Sequence, residues 1–587
     1  MYFQPKSIFK KDEENDRATN KDDDLVSVLH LGKDSFKETF RDLGDEEENN
    51  NNGLQTNTDS NTQDTRKDEN PQHKNKIINE LEVVAAAEQK IEKKEQKQEE
   101  EKKDEPREDE LVITQLADDT SNMPVEVFDE RYPRCHKNKV IKLPAFAVNH
   151  DLLKALQVMP DVESLDISNC NLIYDFSPIT KMQYLKQFAG HNCQMMKDIQ
   201  FLNNCRDLEV LNVSGSPISD ISNLGNFTKL KLVNFTGTKI TSLRGIEKCQ
   251  DLLELSIWGC IGIRDLTPIS TAYKLRTLDM DYTSVDDLYP LINLKQLEFL
   301  FMDNCDMLKD YTGLGALTGL KSLFADGKNM LPVSQLENIT ELKNLVIVTM
   351  KNRKILSAEP FSVLHNLQEL VLEGNALSSV EPLKDLVKLN KFDITANSTV
   401  KDVSCLSRLT KLKKFLIGGG GDAKSLKNTK LGAGVSACSQ MEISDVSVIS
   451  NFTNLVEFNI TNNPKVRTIE GIKNCQVLEE CYLNKCTQLE EISELGYIKT
   501  LQKLHLNYCP KIKDLYFLQY LPNMLELQFD GTIVNSVAFL SNFKKSNNMY
   551  LLKGYGSDLL SVNVIGSAKK KNKMQKSLRK YFAAKKD

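Results

Sequence analysis

The sequence predicts an α/β solenoid, a curved array of about sixteen stacked units with one parallel sheet on its concave side. Three features predict this fold. An apolar skeleton recurs at a nearly constant spacing, the polar letters between its members vary, and small residues, Asn or Cys stand at a fixed place in each copy. One such unit cannot bury its apolar side chains alone, so the units have to stack.

The skeleton reads LxxLxLxx, followed by a small residue, Asn or Cys. In LEVLNVS (208–214), the first, fourth and sixth residues face inward and the residues between them face outward, because side chains alternate along a strand. Successive copies start 22 or 23 residues apart, except for a step of 25 before Leu345 and one of 43 before Leu455. The copies begin at Val162, Leu185, Leu208, Leu230, Leu252, Leu275, Leu297, Leu320, Leu345, Leu367, Leu389, Leu412, Leu455, Leu478, Leu501 and Met524.

With this skeleton and period the chain resembles the leucine-rich repeat family, whose units are about 20–29 residues long. The resemblance covers roughly residues 140–560, and polar halves such as SPISDISNLGNFTK (216–229) are similar to the repeats of the phosphatase-1 regulatory subunit and of bacterial internalins. It implies a curved leucine-rich repeat array. It also implies that the ninth residue of each copy points inward and forms hydrogen bonds to the loop backbone. Cys or Asn fills this position at Cys170, Cys193, Cys260, Cys305, Asn375, Asn397, Asn463, Cys486 and Cys509.

The 13 cysteines fit the repeat better than a disulfide framework. Their number is odd, no close CxxC pair occurs, and most of them recur in two registers of the repeat. Buried Cys behaves as a small apolar residue, so we expect structural thiols. The sequence opens without a signal-peptide pattern, and no run of about 18 apolar residues predicts a membrane span. A cytoplasmic location is therefore expected, with a nuclear one as the alternative.

Charge divides the chain into an acidic head, a near-neutral body and a basic tail. Residues 1–130 carry 19 Lys and Arg against 36 Asp and Glu, whereas residues 569–587 carry nine basic residues against one acidic residue. Stretches such as 45–76 hold too few large apolar residues to offset chain entropy, which predicts disorder. The predicted domains are a mostly disordered acidic head over 1–125, an N-terminal cap over 126–161, leucine-rich repeats over 162–545 with an insertion at 418–440, and a C-terminal cap with the basic tail over 546–587.

Two segments outside the repeats have helical patterns. Residues 77–103 are rich in Ala, Glu, Lys and Gln and carry a short apolar seam, which fits either a coiled-coil or partner-docking helix or a solvated single helix. In the tail KKKNKMQKSLRKYFAAKKD (569–587), Met574, Leu578 and Phe582 would form one apolar stripe on a helix. Three roles remain open for the tail: weak contact with an acidic membrane or a calmodulin-like protein, a nuclear-import or nucleic-acid patch, and docking on the acidic head.

The sequence favours no catalytic residue, cofactor, metal or small-molecule substrate. The seven His residues lack the HExxH and zinc-finger spacings. The insertion contains IGGGGDAKS (417–425), one residue away from the phosphate-binding loop pattern, in which Lys424 would contact phosphates and Ser425 would hold magnesium. Because the preceding strand belongs to a repeat and no helix pattern follows, we expect an exposed loop insertion. A degenerate extra repeat near Val435 is the alternative.

The outward residues of the strands predict the binding surface, because concave faces are the usual recognition surfaces of solenoids. The fifth to eighth copies expose aromatic residues, typical interface hot spots, with aspartates at the margin that would favour a basic partner. Cover by the chain's own head or tail and a chance cluster are the alternatives. The predicted partner-binding residues are Trp258, Asp279, Asp281, Phe299, Phe301, Asp303, Phe324 and Asp326. A later group of mixed charge extends the face with less weight: Glu457, Glu480, Tyr482, Lys503, His505 and Glu526.

These features predict a non-catalytic scaffold that binds a protein or peptide partner, basic in character, on the concave face. A finer version, which follows from the resemblance, is regulation of an enzyme such as a phosphatase. Two other classes of protein are the alternatives: an exported internalin-like adhesin, and a nucleotide-dependent enzyme that uses the Gly-rich insertion.

Overall fold

A computed structural model describes residues 139–143, 145–420 and 440–534 and the strand Leu551–Lys553. The predictions for the acidic head, the helix at 77–103 and the basic tail lie outside these residues, as does most of the predicted insertion. The domain boundaries therefore stay predictions.

The described chain is a leucine-rich repeat solenoid with one parallel sheet of eighteen three-residue strands. Each strand pairs with the next one along the chain, and the register advances by one repeat at each step, so that Leu211 lies between Phe188 and Val233. The strands are β1 Val140–Lys142, β2 Ser164–Asp166, β3 Gln187–Ala189, β4 Val210–Asn212, β5 Leu232–Asn234, β6 Glu254–Ser256, β7 Thr277–Asp279, β8 Phe299–Phe301, β9 Ser322–Phe324, β10 Ile347–Thr349, β11 Glu369–Val371, β12 Lys391–Asp393, β13 Lys414–Leu416, β14 Glu457–Asn459, β15 Glu480–Tyr482, β16 Lys503–His505, β17 Glu526–Gln528 and β18 Leu551–Lys553.

The core runs as a continuous column behind the sheet. In β2–β17 the middle residue of each strand is at most 3% exposed, and the skeleton residues before and after it, such as Leu208 and Val213, are fully buried. This confirms the predicted inward positions. Because the middle residue points inward, the first and third residues of every strand point to the concave side.

Short 3-10 helices return the chain along the convex side of most repeats. A polar side chain ahead of the turn, often Asp, explains many of them: Asp220 accepts the backbone N–H of Ser222 at 2.8 Å, and Asp310 accepts that of Thr312 at 2.8 Å, which fixes the chain reversal. The 3-10 helices are Ser177–Lys181, Gln200–Leu202, Leu224–Asn226, Ile246–Lys248, Thr267–Ile269, Tyr289–Leu291, Thr312–Ala316, Glu337–Glu341, Glu359–Phe361, Glu381–Leu383, Ser404–Arg408, Ser447–Asn451, Ile472–Asn474, Ser493–Tyr497 and Tyr516–Tyr520.

Two α-helices occur in the described residues, and neither resembles a membrane span. Helix α1, Asn149–Val158, lies between β1 and β2 at the N-terminal end of the array, and α2, Val333–Leu336, takes up the longer step of 25 residues. Within the described ranges, no helix combines the length and the apolar run needed to cross a membrane.

The extra residues of the 43-residue step do not interrupt the sheet. Strand β13 pairs directly with β14, with Lys414 beside Glu457, so no additional strand lies between them. The inserted chain leaves after Gly420 and the described chain resumes at Gln440, near the edge where the strands end. Direct pairing agrees with a loop insertion; Val435 itself lies outside the described residues.

Candidate functional site

Three residues of each repeat build the concave face: the first and third residues of the strand and the residue two positions beyond its end. Parallel pairing stacks equivalent residues of neighbouring repeats about 4.8 Å apart, so each position forms a row across the sheet. We call the third of these the post-strand row. It follows the edge at which all strands end, and in the middle of the array it holds Trp258, Asp281, Asp303, Asp326 and Lys351.

The predicted aromatic residues make ring contacts on this face. Phe301 and Phe324, the third residues of β8 and β9, stack with ring centroids 4.7 Å apart and planes inclined by 7°. Trp258 meets Tyr282 edge to face at 5.4 Å. Phe299, the first residue of β8, is half-buried at an outward position. The structure thus places the four predicted aromatic side chains on the concave face of neighbouring repeats, while their role in partner binding stays a prediction.

Sequence reasoning missed Tyr282, which borders Trp258. This tyrosine has a φ of 56°, in the left-handed region where side chains are strained. The equivalent position holds Gly in the fifth repeat, at Gly259, and Asn in the seventh, at Asn304, both with positive φ. Most repeats have Gly or Asn at this position, so a bulky residue there is the signal that could have found Tyr282, because such strain often accompanies functional sites.

The predicted aspartates form a ladder with the backbone of the next repeat. Asp281 Oδ1 accepts the N–H of Asp303 at 2.5 Å, Asp303 Oδ1 accepts that of Asp326 at 2.8 Å, and Asp326 Oδ1 accepts that of Lys351 at 2.9 Å. Asp279, in β7, accepts the hydroxyl of Ser256 at 3.2 Å. Asp281 and Asp303 are each 2% exposed, and their carboxylates turn along the row to accept these N–H groups.

The same backbone ladder is made elsewhere by a neutral side chain. In the post-strand row near the C-terminal end, Asn484 Oδ1 accepts the N–H of Asn507 at 2.9 Å, and Asn507 Oδ1 accepts the N–H of Asp530 at 2.8 Å. The amide oxygen of Asn is therefore sufficient for the structural task. The negative charges of the aspartate row are not required for the ladder.

Carboxylates outnumber cations over the outward positions of β6–β12. We call this region, with its post-strand residues, the aromatic–acidic face. It holds eight carboxylates and two lysines, a formal net charge of −6. The carboxylates are Glu254, Asp279, Asp281, Asp303, Asp326, Glu369, Glu373 and Asp393, and the lysines are Lys351 and Lys391.

Burial perturbs one of these carboxylates strongly. Glu373 is 9% exposed and lies 3.4 Å from the ammonium of Lys351. Burial and the neighbouring Asp393 raise the pKa of Glu373 to about 7, and the single lysine does not offset them. Burial acts to lower the pKa of Lys351, but the surrounding carboxylates outweigh it and the pKa is raised. Lys351 therefore does not offset the effect of burial and Asp393 on Glu373.

The outward residues of β13–β17 form a second region, which we call the paired-charge face. Its glutamates each have a cationic or imidazole neighbour: Glu457 lies 2.9 Å from Lys414, Glu480 lies 2.6 Å from Lys503, and Glu526 lies 2.9 Å from His505. Tyr482 also donates its hydroxyl to Glu480 at 2.6 Å. Burial acts to raise the pKa of Glu480, but the hydrogen bonds from Lys503 and Tyr482 outweigh it and the pKa is lowered.

Exposed apolar side chains continue onto the loops beyond the aromatic–acidic face. Ile261, Met307 and Met330 are 75%, 42% and 58% exposed. They belong to the fifth, seventh and eighth repeats, which also carry Trp258 and the stacked phenylalanines. Clustered exposed apolar residues are typical of interaction sites.

The cysteine rows serve the fold. The thiols of Cys193, Cys260 and Cys305 each donate to a carbonyl oxygen of the preceding repeat at 3.0 Å, and Asn375 donates to two loop carbonyls at 2.7 and 2.8 Å. This confirms the inward, hydrogen-bonding ninth position. Burial raises the pKa of Cys305 to about 12, which keeps the thiol protonated. In the described residues, no cluster of His, Cys, Asp and Glu has the geometry of a metal site.

The described glycines of the predicted phosphate-loop pattern belong to the repeat ladder. Gly418 accepts the N–H of Ala396 at 2.7 Å, and the Gly419 N–H donates to Thr461 at 2.6 Å. A phosphate cradle needs N–H groups that point at the ligand, and that of Gly419 points along the ladder. Lys424 and Ser425 lie outside the described residues.

Parts of this chain are similar to known proteins. No protein-family model matches the chain. A stretch of 156 residues, 26% of this chain, is 31% identical to disease resistance protein RPS4B of Arabidopsis thaliana, of whose length it spans 11%. The functional domain of the internalin InlJ from Listeria monocytogenes, described as including a cysteine ladder, is 16% identical over 64% of this chain and 69% of its own, with a TM-score of 0.46. A leucine-rich repeat protein from Leptospira interrogans is 17% identical over 67% of this chain and 96% of its own, also with a TM-score of 0.46.

Proposed function

We propose that this chain is a non-catalytic interaction protein that binds a basic protein or peptide segment on its aromatic–acidic face. The partner would place apolar side chains against the rings of Trp258, Phe301 and Phe324. Its lysines or arginines would lie along the aspartate row and toward Glu373. The proposal is carried by one observation: charged Asp fills a row in which neutral Asn performs the same backbone function elsewhere.

Because Asn also supports the ladder, the backbone contacts do not by themselves explain why this row contains Asp. A ladder of Asn would hold the loops equally well and would avoid gathering like charges, which destabilise one another at short range. Asp281, Asp303 and Asp326 instead place carboxylates along this row, and the charge of a cationic partner would complement them. Complementary charge of this kind also accelerates encounter and selects partners.

The aromatic contacts supply the apolar part of the recognition. Aromatic residues dominate the energy of many interfaces when a polar rim surrounds them. Here the stacked Phe301 and Phe324 lie beside the aspartate row, and the Trp258–Tyr282 pair belongs to the two preceding repeats. The combination fits a segment in which basic and large apolar residues alternate, and it fits an acidic or purely hydrophilic segment poorly.

The test is selection of binding peptides from a random displayed library on the full chain. We expect the selected peptides to combine Lys or Arg with Trp, Phe, Leu or Met. Binding of each peptide, made without Trp, should change the fluorescence of Trp258, the single tryptophan of the chain. Selected peptides that are acidic, or that bind without any change at Trp258, would contradict the proposal.

A finer version of the proposal is that the bound partner is an enzyme, such as a phosphatase, whose activity the chain regulates in the cytoplasm or the nucleus. The resemblance to phosphatase-regulating repeats supports it. Its test is the activity of a purified phosphatase catalytic subunit with and without the chain. Unchanged activity at saturating chain concentration would remove the phosphatase version and leave the peptide-binding proposal standing.

A further inference from the structure

Building on the proposed function, we propose that the chain's own basic tail, residues 569–587, docks on the aromatic–acidic face and competes there with the external partner. The tail would thus regulate access to the site. Charge selects the tail over the head as the internal occupant. The tail carries nine basic residues and one acidic residue, the face carries a formal charge of −6, and the head is strongly acidic.

The tail also matches the apolar part of the face. Met574, Leu578 and Phe582 are spaced by four residues, so a helix would align them on one side, with basic residues on both flanks. This spacing presents three large apolar side chains to the rings of Phe301 and Phe324. A basic amphipathic segment is the chemistry that the aromatic–acidic face recognises in an external partner.

The chain between the sheet and the tail is long enough for this contact. Strand β18 ends at Lys553, ten strands beyond β8, which carries Phe301, a separation of about 48 Å at 4.8 Å per strand. The 20 residues from 554 to 573 can span up to about 66 Å when extended. The residues that connect β18 to the tail therefore reach the middle of the array with length to spare.

The direction of the strands favours the same contact. All strands of the sheet are parallel, so β18 ends at the edge along which the post-strand row runs. Asp303 and Asp326 lie in that row immediately beyond β8 and β9. The chain consequently leaves the sheet on the side of the negative charges, without having to cross the strands to reach them.

Trp258 provides a reporter for the test in the full chain. In Met574→Ser/Leu578→Ser/Phe582→Ser, which keeps every basic residue, we expect a red-shifted Trp258 emission and stronger quenching by acrylamide. The matched control Gln575→Ser/Ala583→Ser/Ala584→Ser alters three tail residues outside the stripe and should behave as the unmodified chain does. High salt should move the unmodified chain toward the stripe variant, because screening weakens the charge contribution.

A synthetic peptide of residues 569–587 completes the test. It should bind the stripe variant and restore the Trp258 emission. It should bind the unmodified chain at least about tenfold more weakly, because a tethered tail at roughly millimolar effective concentration has to be displaced first. A scrambled peptide of the same composition should do neither.

The opposite results would overturn the tail proposal. They are identical Trp258 emission in the stripe variant and the unmodified chain, together with no effect of the peptide on the stripe variant. If library-selected peptides still bind the face in that case, the proposed function stands and only the internal occupant is wrong. If the selected peptides also fail to affect Trp258, the face is not a binding surface and both proposals are wrong.

Discussion

The aromatic–acidic face and the paired-charge face are consecutive regions of one sheet, with the same strand length, register and backbone ladder. They differ in how charge is balanced. On the paired-charge face each glutamate has a cationic or imidazole neighbour within 3 Å, and the ladder residues Asn484 and Asn507 are neutral. On the aromatic–acidic face the ladder itself contains aspartates, and the outward positions hold eight carboxylates and two lysines. A repeat protein can therefore hold its fold constant while neighbouring regions of one sheet carry different patterns of charge.

Removal of the stacked rings is expected to produce the largest difference in peptide affinity between the two faces. Phe301→Ser/Phe324→Ser should weaken binding of a library-selected peptide by about 100-fold, in the range of paired hot-spot losses. The matched variant on the other face, Tyr482→Ser/His505→Ser, should change the affinity by less than about threefold, since it lies outside the proposed site. Titration of peptide fluorescence anisotropy measures both. Equal losses would mean that the two faces bind as one surface.

Neutralising the aspartate row tests the charge difference directly. Asp281→Asn/Asp303→Asn/Asp326→Asn should weaken peptide binding by about tenfold and flatten its dependence on ionic strength, because the loss is mainly one of charge attraction. Thermal stability should change little, since Asn accepts the same N–H groups as it does at Asn484.

The control for the ladder is replacement of the same three residues by Ala. This change leaves backbone N–H groups unsatisfied and should lower the free energy of unfolding by about 1–2 kcal/mol per site. If the Asn variant were as unstable as the Ala variant, the fold would need the carboxylates. Their negative charge would then no longer support the proposal of a basic partner.

One glutamate from each face should respond to pH in opposite directions. The pKa of Glu373 is raised to about 7, so its ionised form opposes folding and stability falls as pH rises from its ordinary value toward 7. Glu373→Gln should therefore stabilise the chain above pH 7, by on the order of 1–2 kcal/mol, and change it little in acid. Denaturant unfolding at pH 5 and pH 8 measures this.

Glu480 supplies the contrasting case. Its pKa is lowered by the hydrogen bonds from Lys503 and Tyr482, so its contribution to stability is present above its ordinary pKa and is lost as pH falls through the folded value. Glu480→Gln should destabilise the chain by about 1 kcal/mol at pH 8, as expected for a partly buried pair, and by less in acid. The same sign for both variants at pH 8 would contradict the difference between the faces.

The smallest effects are expected at two strained tyrosines. Tyr282 and Tyr508 hold equivalent positions in different repeats, with φ of 56° and 59°. Asn tolerates this conformation better, so Tyr282→Asn and Tyr508→Asn should each stabilise the chain by about 0.5–1 kcal/mol. Tyr282→Asn should also weaken the selected peptide by about fivefold through loss of the contact with Trp258, since an aromatic pair contributes about 1 kcal/mol. Tyr508→Asn should leave that affinity unchanged, and an equal loss there would refute a specific role of Tyr282.

The repeat fold was predictable to a large extent. The sixteen starting positions, the inward skeleton and the inward ninth position all follow from periodicity or from the family resemblance, because stacking makes each residue's environment a function of its place in the unit. The aromatic residues of the candidate site were predictable for the same reason. Tyr282 was missed because the predicted binding surface ended at the post-strand row, and Tyr282 lies one residue beyond that row.

The sequence by itself determined the solenoid, the parallel sheet and the row to which each side chain belongs, since these depend on a local pattern repeated along the chain. Only the tertiary structure decided how residues 22 or 23 positions apart meet across neighbouring strands. That is why it alone showed that Asp281 and Asp303 turn along the row to hold the next backbone N–H, that Phe301 and Phe324 stack, and that burial and Asp393 raise the pKa of Glu373. Contact, burial and charge balance between repeats depend on side-chain direction and distance, and a one-dimensional pattern does not contain these quantities.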